Sequence, residues 1–153
     1  MTSDGADVRL PPPLVYAGPF LLLGLLDRVL PWRMPDHPAR SAAGWLLVVV
    51  ALALGASALA TFRRRGTTVI PHHAVSAVVT SGPYRLTRNP MYLGLALGYL
   101  GAGLVLGSWW PVAGLPVIVL LVDRLVIARE ETYLRARFGA DYAALCRRTR
   151  RWV

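Results

Sequence analysis

Residues 80–104 read TSGPYRLTRNPMYLGLALGYLGAGL, and the change of character at Pro90 decides the fold. Up to Asn89 the run is polar, with Arg85 and Arg88 set among the turn-forming Ser81, Gly82 and Pro83. From Met91 onward it carries no charge. A helix that is apolar all round must be buried, in a protein core or in lipid. Pro83 and Pro90 each fix φ and push the residue before them away from α geometry, so residues 80–90 form a set turn. Asn89 suits an N-cap and Pro90 the first helical position. A helix starting there offers free N–H groups and the positive end of its dipole, a combination that suits a carboxylate. Tyr84 and Tyr92 flank the point with ring faces fit for a cation or an adenine.

Composition points the same way. Of 153 residues, 55% are hydrophobic and 16% charged, where a soluble domain carries about a quarter charged. The net charge is +9, and all 17 basic residues are arginine. No separate soluble module exists to bind nucleic acid, so the arginines read as topology signals and anionic-lipid contacts. A spanning helix needs about 20 mostly apolar residues. Leu14–Leu30, Ala42–Phe62, Met91–Trp110 and Val112–Ala128 meet or approach that length. Ser108–Pro111 turns the last two into a hairpin, with Trp109 and Trp110 at the interface.

Arginine placement orients the bundle. Arg63, Arg64, Arg65, Arg85 and Arg88 lie between the second and third spans, and seven more, from Arg129 to Arg151, follow the fourth. The opposite side has Arg33 and Arg40. The positive-inside rule then puts both termini in the cytoplasm. The expectation is an all-α, polytopic membrane helix bundle of one domain, residues 1–153, in a bacterial inner membrane. Its four spans bring the loop 63–90 and the tail 129–153 to one cytoplasmic face.

Charged pairs within the apolar segments are Asp27-Arg28, near the outer end of the first span, and Asp123-Arg124, deeper in the fourth. A buried ionisable residue in lipid is a functional candidate, which singles out Arg124, against partnering inside the bundle. Gly94, Gly98, Gly101, Gly103 and Gly107 include two GxxxG spacings, read either as close helix packing or as room for a ligand on bare backbone. Cys146 stands alone, so no internal disulfide forms. His72 and His73 lack the further ligands a zinc site requires, and no metal is expected. In the tail, AREETYLRARFGADY (128–142), Leu134, Phe138, Tyr142 and Leu145 form the apolar stripe of an amphipathic helix, which Gly139 divides in two. The adjacent carboxylates Glu130 and Glu131 stand where the fourth span leaves the membrane.

The pattern G-P-Y-x-x-x-R-N-P-M-Y-x-G at 82–94, followed by E-E-x-x-L-x-x-x-F-G-x-x-Y at 130–142, resembles the integral-membrane methyltransferases of the isoprenylcysteine carboxyl methyltransferase and phospholipid methyltransferase group. The resemblance covers roughly residues 67–146. It implies S-adenosylmethionine as cofactor and S-adenosylhomocysteine as product. Backbone contacts to the cofactor fall on Ser76–Val79, Val78 and Val79 above all. Tyr84, Asn89, Pro90, Met91, Tyr92 and Glu130 take the other cofactor positions. Asn89 stands where relatives carry a histidine, and asparagine caps and donates but does not titrate. Prenylcysteine-modifying relatives hold the acceptor carboxylate with an arginine at the position of Val126, so Arg124 and Arg129 are the nearest substitutes here.

The expected activity is methyl transfer to a lipophilic acceptor, an isoprenylcysteine-type carboxylate or another membrane-embedded small molecule. A carboxylate nucleophile needs alignment more than acid–base help. A phospholipid or amine acceptor would need a base, for which Glu131 and Asp123 are candidates. A non-catalytic membrane accessory protein is the other alternative, and it leaves the Asn89-Pro90 cap and the Glu130-Glu131 pair without a role. The glycine face leaves the oligomeric state open.

Overall fold

The computed structural model describes residues 11–64 and 79–153. The expectations for Val78, Ser76, His72 and His73 lie outside the described residues. Among those described, the regular structure is helical throughout. Helix α1 spans Pro12–Val29 and α2 spans Pro38–Arg64. A 3-10 turn follows at Gly82–Arg85, then α3 at Pro90–Leu106 and α4 at Trp109–Val122. A π-helical turn at Asp123–Ile127 passes without interruption into α5, Ala128–Arg148.

Two of these helices are long and apolar enough to cross a membrane, α2 and the 40-residue helical run Trp109–Arg148, which is kinked at Gly139; α3 is a shorter apolar helix. Apolar side chains face outward in large numbers: Trp45 is 58% and Leu52 68% exposed on α2, and Leu21 and Leu22 of α1 and Val117 and Leu120 of α4 are likewise exposed. Apolar surface on that scale is a surface for lipid or protein, not water.

Three boundaries differ from the sequence expectation. The third apolar segment was expected to run to Trp110, but α3 ends at Leu106 and Gly107 takes φ 70°. A side chain there would also meet the Arg40 guanidinium, 3.0 Å from an added Cβ. Glycine is the residue that enters this conformation without steric cost. The Ser108 hydroxyl then accepts from Trp110 N–H at 3.2 Å, capping a helix that begins at Trp109. Both tryptophans therefore open α4, three residues ahead of the expected Val112. At the far end, the expected limit of the fourth segment at Ala128 is passed without a break, because the π turn Asp123–Ile127 leads directly into α5. Gly139, at φ 46° and ψ −111°, divides α5 as the sequence suggested.

The described residues form two compact units, one of 54–64, 79–91 and 122–153, the other of 11–53 and 92–121. In the second unit, a Cβ added to Gly101 would lie 2.6 Å from the Gly44 carbonyl, and one added to Gly44 would lie 2.8 Å from the Gly101 carbonyl. The backbones of α2 and α3 touch there, so the closest approach falls at Gly101 rather than within either GxxxG spacing. Asp27, 1% exposed, closes the same unit. Its Oδ1 accepts from Trp32 N–H at 3.1 Å and Ser108 Oγ at 2.9 Å, and its Oδ2 pairs with Arg33 Nε at 2.9 Å. Asp27 thus turns inward instead of lying along the helix end beside Arg28, which is exposed.

Candidate functional site

The polar chemistry of the first unit is built on the turn before α3. Gly82 has φ 61°, and a Cβ there would sit 2.6 Å from Thr61 Oγ1 of α2. That close seat brings Tyr84 edge-on to Phe62, ring centroids 5.3 Å apart. Ala58, Val79 and Tyr84 are buried together, with Phe62 and Met91 packed against them. Three of the expected cofactor residues, Val79, Tyr84 and Met91, therefore share one cluster. Burial, and then the charge of half-buried Glu130, push the Tyr84 phenol well above its ordinary range. Tyr84 stays protonated at any physiological pH, and Glu130 lies close enough to be felt there.

The chain from Thr87 to Pro90 is held from a second direction. Asn89 N–H donates to Thr87 Oγ1 at 3.1 Å, a local turn that leads into Pro90, fully buried at the first position of α3. Residues 149–151 then lie alongside. Arg88 N–H donates to the Arg150 carbonyl at 3.0 Å, and the Arg151 carbonyl accepts from Thr87 Oγ1 and from Asn89 Nδ2, each at 3.0 Å. The Arg88 guanidinium donates to the carbonyls of Cys146 and Thr149.

Beneath this strip lies Glu131, 2% exposed. It pairs with Arg88 at 3.2 Å, Arg135 at 3.1 Å and Arg151 at 2.6 Å. Arg151 reaches on to Asp123 at 3.0 Å, and Trp152 Nε1 donates to the same carboxylate at 3.0 Å. Burial pushes the Glu131 carboxyl up, but the hydrogen bonds and charges of Arg151 and Arg88 outweigh it, and the net pKa lies below the ordinary carboxylate range. Arg151 is held above its ordinary value, first by its hydrogen bond to Glu131.

These positions sort the expected site residues. Glu131, a candidate base, is an ion-pair hub whose depressed pKa suits it poorly to take protons. Arg124 and Arg129 are both exposed. The expectation that Arg124 lies buried beside Asp123 fails, because Arg151 takes that carboxylate. Val126 is buried within the π turn. Tyr92 belongs to the second unit, where it is buried and its carbonyl accepts from Tyr16 Oη at 3.5 Å. Sequence reasoning did not anticipate Arg151, Trp152 or the partnership of Arg88 with Glu131. The one available signal was Trp152, an aromatic residue inside a basic run that otherwise reads as solvated.

Residues 39–141 match the phospholipid methyltransferase family. That is about two thirds of the chain, and the protein belongs to this family, part of the isoprenylcysteine carboxyl methyltransferase-type group of membrane methyltransferases. Over 63 residues, 41% of its length, the chain is 40% identical to an uncharacterized protein of Haemophilus influenzae, which the match covers in full. Over 74 residues, 48% of its length, it is 38% identical to the cobalt-zinc-cadmium resistance protein CzcN of Cupriavidus metallidurans, spanning 34% of that protein. No solved structure matches. The family implies methyl transfer to a lipid-like substrate, and the two long apolar helices agree with a membrane location.

Proposed function

We propose that the protein transfers a methyl group from S-adenosylmethionine to a lipophilic acceptor at the cytoplasmic face of the inner membrane. In this reading the chain crosses the membrane four times, with the arginine-rich segments and both termini on the cytoplasmic side. The observation that carries it is the convergence of the family match with the buried cluster of Val79, Tyr84 and Met91, set where the charge of Glu130 reaches Tyr84.

The residues present fit the cofactor. It would supply a sulfonium-bound methyl group open to displacement. Val78 and Val79 would meet it with backbone, Tyr84 would close one side of it, Asn89–Met91 would present the helix start, and Glu130 would accept from its hydroxyls. Helix N–H groups favour a carboxylate, and a half-buried carboxylate beside a protonated phenol favours donors. Glu131 is committed to three arginines, so the site has no free base at that position. An acceptor already ionised, a lipophilic carboxylate, needs none: orientation and exclusion of water supply the acceleration. Exposed Arg124 and Arg129 would receive its charge at the lipid boundary.

The test is direct. Purified protein in lipid nanodiscs should bind S-adenosylhomocysteine and pass labelled methyl from S-adenosylmethionine to a fraction of host lipids. Glu130→Gln should weaken that binding by about 1.5–3 kcal/mol, the scale of a charge-assisted hydrogen bond, with the melting temperature unchanged. A folded protein that binds neither cofactor nor product sinks the proposal.

A further inference from the structure

Three successive backbone carbonyls, those of Thr149, Arg150 and Arg151, converge on the three residues Thr87, Arg88 and Asn89. Backbone acceptors hold nothing unless their own chain is fixed, and here two side chains fix it. Arg151 grips both oxygens of Glu131, with Nε at 3.2 Å from Oε1 and Nη2 at 2.6 Å from Oε2, while its Nη1 lies 3.0 Å from Asp123 Oδ2. Paired contacts of this kind give geometric specificity as well as strength. Trp152 Nε1 takes the other Asp123 oxygen at 3.0 Å. The segment so gripped ends at Asn89, the residue before the first turn of α3, and begins three residues after Tyr84.

We propose that residues 149–152 are a positioning latch for the candidate site, in which Arg151 and Trp152 set the orientation of the helix start that receives the cofactor. The inference rests on the methyltransferase reading of that site. The latch acts through Thr87–Asn89 and touches no ligand itself. Charge counting separates it from simple glue. Asp123 and Glu131 face Arg88, Arg135 and Arg151, so loss of Arg151 still leaves Glu131 paired with Arg88 and Arg135. The buried carboxylate keeps two of its three cations while the carbonyl strip loses one of its two anchors.

The experiment compares the full chain in nanodiscs with Arg151→Ala, Arg151→Lys and Trp152→Phe. Three readings are taken: hydrogen exchange over residues 87–92, affinity for S-adenosylhomocysteine, and melting temperature. Arg151→Ala should speed exchange at the Arg88 amide at least tenfold and weaken S-adenosylhomocysteine binding at least tenfold. Arg151→Lys, which keeps a cation but not the fork, should recover part of both. Trp152→Phe, which removes a single hydrogen bond, should shift both in the same direction by less and serves if Arg151→Ala does not fold. Unchanged exchange at Arg88 overturns the latch. Faster exchange with unchanged affinity overturns the positioning role and leaves a purely structural contact. A parent protein that binds no S-adenosylhomocysteine overturns the cofactor reading, and with it the positioning role; exchange at Arg88 then still decides whether the contact is a latch.

Discussion

Asp27 and Glu131 are each withdrawn from solvent, yet they are satisfied in opposite ways. Asp27 takes two neutral donors, Trp32 N–H and Ser108 Oγ, and one half-exposed arginine, Arg33. Glu131 takes three arginines. Neutral donors suit a carboxylate that closes a turn, since they fix geometry without gathering further charge. A hub of arginines suits one that joins segments distant in sequence, because each cation must find its counter-charge or stay solvated. The first arrangement ties Trp32 and Arg33 to the α3–α4 turn. The second joins Arg88 to Arg151 through one residue.

The comparison breaks most visibly at Glu131. Glu131→Gln leaves Arg88 and Arg151 with a neutral partner in a buried setting, which should cost about 3–5 kcal/mol and be read as a large loss of melting temperature. Asp27→Ala strands two donors, one of them the buried Ser108, but its cation retains water. The loss should be roughly 2–3 kcal/mol, and a result equal to that of Glu131→Gln would erase the distinction. Gly139→Ala sharpens it from outside. An added Cβ meets nothing within 4 Å, so the cost is that of a backbone conformation suited to glycine, at φ 46° and ψ −111°, roughly 1–3 kcal/mol, with exchange at Arg88 unaltered.

Acid gives the smallest effect within the working range. The folded pKa of Glu131 lies below its unfolded value. Its contribution is therefore fully present above the unfolded pKa, about 4.3, and is lost as pH falls through the folded pKa. A melting series from pH 7 to pH 3 should be flat in this respect until the carboxylate range. The extra loss below it should be missing from Glu131→Gln.

The helices were legible because their causes are local. Each apolar stretch coincides with a helix to within a few residues, and Pro38, Pro90 and Gly107 mark edges by their own backbone limits. The run-on from α4 into α5 was not legible. Asp123-Arg124 reads as a charged pair deep in the fourth span, and nothing local in it announces that Arg151 and Trp152 satisfy Asp123 from 28 and 29 positions away. Of the expected cofactor residues, Tyr84 and Met91 came from a short motif and Val79 from the segment that the resemblance puts before it, and the three fold onto one another. The Arg88–Glu131–Arg151 network lies beyond such reading: in RRTRRWV nothing separates the arginine that turns inward from its exposed neighbours. Only the pairing, across 43 and 20 positions, does that.

Timing follows from that pairing. Asn89 and the Arg151 carbonyl that accepts its amide are 62 positions apart. At a ribosome speed of about 5–20 residues per second, the first waits roughly 3–12 s for the second to be made. For the first 43 positions of that interval the nascent Arg88 has neither Glu131 nor residues 149–150 to bind, and must be held in water or by the insertion machinery. The turn before α3 is thus among the earliest polar parts of this unit to be synthesised and among the last to become fixed.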